Sequence, residues 1–91
     1  MNQIGRLVGL GTLVADGKEF SRVEYAIDIW RADSGIESAR GKLSVSPEVG
    51  PAKLMLAGGK EIKVFITTSG VHGATLMVTG AVPRANEYQN R

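Results

Sequence analysis

The chain has no cysteine and a single histidine, His72. Without cysteine there is no disulfide framework and no thiolate nucleophile. One histidine leaves too few soft ligands for a zinc site, so no metal is expected. Aromatic residues make up 5% of the chain, too few for a surface built mainly by stacking on bases. Charge of one sign is also missing: 11 basic residues face 9 acidic ones, for a net charge of +2. That is no clustered field of the kind strong nucleic-acid binders carry. No apolar run approaches the roughly 18 residues of a membrane span. The opening Met1-Asn2-Gln3-Ile4-Gly5-Arg6 lacks the pattern of a signal peptide, so the cytoplasm is the expected compartment.

At 91 residues the chain allows one domain with a thin core, which dimerisation would help to stabilise. Residues 1–83 carry the periodic patterns, and 84–91 read as a loose tail. The hydrophobic share is 43%, ordinary for a folded domain.

The stretch Lys53–Thr68 organises the rest. Ile62, Val64 and Ile66 alternate with Glu61, Lys63 and Phe65, the period of a strand with one buried face. Leu54 and Leu56 keep that period before Gly58-Gly59. A three-residue loop, Ala57-Gly58-Gly59, pairs Leu54 with Ile62 and Ala52 with Val64, and sets Gly59 where a left-handed residue is needed. A two-residue loop would instead put leucines opposite charges. A rival reading makes 51–57 a short helix, because Pro51 opens it, helix formers fill it and Gly58 follows.

The first strand covers about Gln3–Val14, with Ile4, Val8 and Leu10 on the inner face and Leu7 and Leu13 on the other. Its glycines suit a strand that curves sharply. Asp16-Gly17 is a strong hairpin signal, and a two-residue loop sets Val8 opposite Tyr25 and Leu10 opposite Val23. The second strand, about Glu19–Ala32, turns Val23, Tyr25, Ile27 and Ile29 inward, with Arg22, Glu24, Ala26, Asp28 and Trp30 outward. A loop at Asp33-Ser34-Gly35 then pairs Tyr25 with Leu43 and Val23 with Val45, in a third strand of about Ile36–Ser46. Pro47, Gly50 and Pro51 mark a crossing between two halves of the sheet. Residues 69–73 read as a glycine-rich loop, and Ala74–Val82 as the last strand.

These strands and turns predict an all-β domain, a small antiparallel barrel or sandwich of about six strands. If 51–57 is helical, the order becomes three strands, helix, two strands, which is OB-like. The expected core is Val8, Leu10, Val23, Tyr25, Ile27, Ile29, Leu43, Val45, Ile62, Val64, Ile66, Leu76 and Val78.

Motifs for chemistry are weak. The stretch from Gly11 to Glu19 fails as a phosphate loop: its glycine spacing is one too long, and Glu19 stands where Ser or Thr would hold magnesium. Gly9-Leu10-Gly11 lacks the third glycine of a dinucleotide fingerprint. Ser69 is on no nucleophile elbow, and no carboxylate near His72 in sequence would orient its imidazole. Asp28 is expected to pair across strands with Arg40, near Lys42. No cofactor and no enzyme activity are expected.

The outer face is the expected binding surface. Trp30, Phe65 and Met77 point outward there, with Leu7 and Ala26 as further contributors, and Phe65 stands opposite Met77. Arg40, Lys42 and Lys63 lie among them. Large outward apolar groups beside arginine fit a protein partner or a homodimer. The alternative is an OB-like binder of single-stranded nucleic acid, with Trp30 and Phe65 stacking on bases and the cations following phosphates.

Overall fold

The computed structural model describes residues 2–82. It holds six strands: β1 (Asn2–Ala15), β2 (Lys18–Arg31), β3 (Glu37–Leu43), β4 (Gly50–Met55), β5 (Glu61–Gly70) and β6 (Gly73–Val78). They form a closed antiparallel barrel in the order β1-β2-β3-β6-β5-β4. Two three-stranded meanders, β1-β2-β3 and β4-β5-β6, are joined by the β1–β4 and β3–β6 ladders. The expected tail, 84–91, lies outside the described residues.

The helical alternative is overturned, and the OB-like order with it. Residues 50–55 form a strand, because alternating Ala52 and Leu54 have an apolar interior to enter. The β4–β5 register is the expected one, with Leu54 opposite Ile62 and Ala52 opposite Val64. The Ala57-Gly58-Gly59 loop is closed by the Leu56 N–H donating to Lys60 O at 2.7 Å. Gly59 and Gly35 have φ of 91° and 92°, as third residues of such loops require. Pro51 sits inside β4 rather than in a crossing. It is tolerated because the β1–β4 ladder starts only at Ala52, so no β1 acceptor waits for the proline's missing N–H.

The largest departure is in β1. The Asp16-Gly17 turn forms, with both residues at positive φ. Beyond it, Leu13 pairs with Phe20 but Gly11 pairs with Val23, so β2 carries one extra residue in that interval. Arg22, at φ 55°, accommodates this bulge. One extra residue inverts the faces of everything beyond it. Gly9, not Val8, therefore stands opposite Tyr25. Leu7 is fully buried, while Val8 and Leu10, expected in the core, are 50% and 49% exposed. Leu7 accordingly does not join the outer face.

The remaining expected core residues are buried, except Val45. β3 ends at Leu43 rather than near Ser46, so Val45 packs against the core from outside the ladder, half-buried. Leu13, Ala15, Ala39, Ala52, Leu54, Leu56 and Ala74 complete the interior. Gly11 lets the barrel close tightly: a Cβ there would overlap the Met55 carbonyl oxygen, so β4 could not approach β1. Residues 69–73 are not an open loop. β5 and β6 run to Gly70 and Gly73, joined through Val71 and His72 alone.

Candidate binding face

Among the described residues the barrel interior is an apolar core with no buried polar or charged residue, so the groups that could recognise a polar partner stand on the outside. Alternation along each strand sets which side chains are there. The ladders then line them up in one row across all six strands. Arg6 pairs with Asp28, Asp28 with Arg40, Arg40 with Met77, Met77 with Phe65, and Phe65 with Pro51. The expected opposition of Phe65 and Met77 is present; these residues are 38% and 44% exposed. Trp30 stands opposite Ser38 and is thus diagonal to Arg40. It is half-buried, as a ring lying along the sheet would be.

A shallow groove runs beside this row, bordered by Arg6, Ala26, Asp28, Trp30, Arg40, Lys42 and Thr75. The structure thus brings Trp30, Arg40 and Lys42 together, with Met77 and Phe65 continuing the face past Arg40. Lys63 lies two residues from Phe65 on β5, directly opposite Lys53 on β4. Trp30 on β2 and Phe65 on β5 are three places apart in a ring of six strands, on opposite sides of the barrel. The strip is therefore a band that curves around the barrel, with Trp30, Arg40 and Lys42 on one side and Phe65 and Lys63 on the other.

The electrostatics differ from the expected pairing. Asp28 and Arg40 are opposite each other, yet the carboxylate is engaged on its other side. Asp28 Oδ1 lies 3.5 Å from Arg6 Nε and accepts from Gln3 Nε2 at 2.9 Å. The second ion pair, Arg31 with Glu37 at 2.7 Å, neutralises another acid near the strip. Among the described residues Arg40, Lys42, Lys53 and Lys63 take part in no ion pair. The facing lysines Lys53 and Lys63 repel each other at the cost of stability. Sequence reasoning did not single out Lys53. The signal was available in the Leu54–Ile62 register, which sets Lys53 against Lys63.

Beside Lys42 the β5–β6 ladder has a bulge at Thr67, so Thr67 and Thr68 both face Thr75. Their Oγ1 atoms lie 2.7 and 2.6 Å from Thr75 Oγ1. These hydroxyls give the strip a polar rim. His72 is exposed at the β5–β6 turn, and Ser69 lies in the β5–β6 ladder opposite Ala74. Among the described residues no cluster of His, Cys, Asp and Glu could hold a metal ion, and no helix is long and apolar enough to cross a membrane. In comparisons with protein-family models, curated proteins and solved structures, nothing matches this chain.

Proposed function

We propose that this protein is a non-enzymatic binding module, whose outer strip takes an acidic protein segment carrying apolar anchors. The observation behind this reading is the pairing of exposed apolar groups with uncompensated cations on one strip. Phe65 and Met77 are large side chains left open beside Arg40, Lys42, Lys53 and Lys63, which have no acid partner among the described residues. Arg, Met and aromatic groups are the residue types enriched at interfaces. The same cations favour an acidic partner over a second copy, because two such strips facing each other would set like charges together.

A second reading has one observation in its favour. Asp28 and Glu37, which would repel phosphates, are occupied by Arg6 and Arg31. A single-stranded nucleic acid could then stack on Trp30 and Phe65 while its phosphates meet Arg40, Lys42 and Lys63.

Trp30, the only tryptophan, lies beside Arg40 and Lys42, so its fluorescence reports on that part of the strip. Titration with acidic peptides bearing Leu or Phe should shift its emission, and Phe65→Ser with Met77→Ser should remove the response without unfolding the domain. A peptide response unchanged in that variant refutes the reading, and so does unfolding of the variant, which would make these side chains part of a second core. Binding of an oligothymidylate that weakens steeply with salt and vanishes in Arg40→Glu with Lys42→Glu would favour the nucleic-acid reading.

A further inference from the structure

A closed barrel normally leaves no strand edge unpaired. Here closure uses only part of β1. The β1–β4 ladder covers Thr12 to Ala15, and residues 2–11 are paired to β2 alone. Among the described residues no backbone hydrogen bond reaches the other edge of that stretch, although Met55 and Ala57 stand against its end at Gly11 and Gly9. Three of the outward side chains along it are aliphatic, with Asn2, Gln3 and Arg6 the polar ones: Ile4, Val8 and Leu10 are 43–50% exposed. A groove bordered by Val8, Gly9, Leu10, Glu24, Tyr25 and Ala57 opens beside the same stretch.

The contrast with the barrel's other long free edge is informative. Residues 18–23 of β2 lack a β3 partner, since that ladder begins at Tyr25. This edge carries Lys18, Glu19 and Arg22 with a bulge, the features that discourage strand addition. The free edge of β1 carries one charge, Arg6, already held by Asp28, and its bulge is confined to Ile4 near its end.

We infer that the free edge of β1 pairs antiparallel with β1 of a second copy, joining two barrels through a continuous sheet. The strand is its own complement. A two-fold axis at Leu7 sets Ile4 opposite Leu10 of the other copy and Arg6 opposite its Val8, so each half-exposed aliphatic group gains a neighbour. Centring on Arg6 instead would face the two guanidinium groups. Centring on Val8 would bring Ile4 to Thr12, where β4 already occupies the edge. The contact is narrow, so the dimer is a reversible one at the low end of interface size. Both basic strips stay exposed in it.

Sedimentation velocity on the full chain over a wide concentration range tests this directly. The parent should pass from monomer to dimer, and amide exchange of Gly5–Leu10 should slow as concentration rises. Val8→Lys, which sets Lys beside Arg6 of the other copy twice, should stay monomeric; Leu10→Lys serves if that variant unfolds. The Phe65→Ser, Met77→Ser variant should dimerise like the parent, which separates this contact from the binding strip. A parent that remains monomeric, a dimer that survives folded Val8→Lys and Leu10→Lys, or dimerisation with no change in exchange at Gly5–Leu10 overturns the inference.

Discussion

Leu7 and Val8 are neighbours of similar chemistry whose environments are opposite, and truncating each to alanine reads the fold directly. Leu7 is 0% exposed and Val8 50%. Leu7→Ala removes buried methyl groups and leaves a cavity in a closed interior, a change that costs about 2–5 kcal/mol. Val8→Ala removes roughly two methylene equivalents, worth about 1.6 kcal/mol if fully buried. At half exposure it should cost no more than about 0.8 kcal/mol. In a domain of this size each kcal/mol moves the melting temperature by about 4–8 °C. A loss of about 3 kcal/mol at Leu7 thus lowers it by about 12–24 °C, whereas Val8→Ala lowers it by about 6 °C or less. Urea titrations should place the two midpoints in the same order, with similar slopes. Equal losses, or a larger loss at Val8, would mean that β1 lacks the bulge-shifted register and that Val8 and Leu10 face the core after all. The self-pairing of β1 would fall with it, since Val8 would no longer lie outside.

Two further stability predictions follow from local geometry. Gly59→Val and Gly35→Val each place a β-branched residue at φ near 90°, and should lose roughly 1 kcal/mol or more by chemical denaturation. Tyr25→Phe removes the hydroxyl that accepts the Ala57 N–H at 2.9 Å. A loss of about 1 kcal/mol is expected there, together with faster exchange of the Ala57 amide; an unchanged exchange rate would mean that this bond does not tie the β4–β5 loop to the barrel.

Several features were settled by the chain alone, for local reasons. Strict alternation in Ile62-Lys63-Val64-Phe65-Ile66 fixes both the strand and its inward face. The same holds for Val23 to Ile29. Turn chemistry at Gly35 and Gly59 sets the β2–β3 and β4–β5 registers, and Asp16-Gly17 sets only the pairs between its turn and the bulge, because few backbone shapes fit each loop. From the Gly35 register comes the diagonal of Trp30 and Arg40, while the opposition of Phe65 and Met77 belongs to the β5–β6 ladder.

Tertiary structure decided what depends on partners distant in sequence. The strand at 50–55 has fair helix propensity, and only an apolar interior between β1 and β5 makes its alternation pay. The bulge at Arg22 has no clear local signature, and that single extra residue exchanges Leu7 for Val8 in the core. Which base takes Asp28 was likewise invisible: β1 brings Arg6 against it from one side while β3 brings Arg40 from the other, and the salt bridge forms with Arg6. That choice leaves Arg40 uncompensated at the middle of the strip. The free edge of β1 exists for the same kind of reason, since closure between β1 and β4 ends at Thr12, a limit that no residue of β1 encodes by itself.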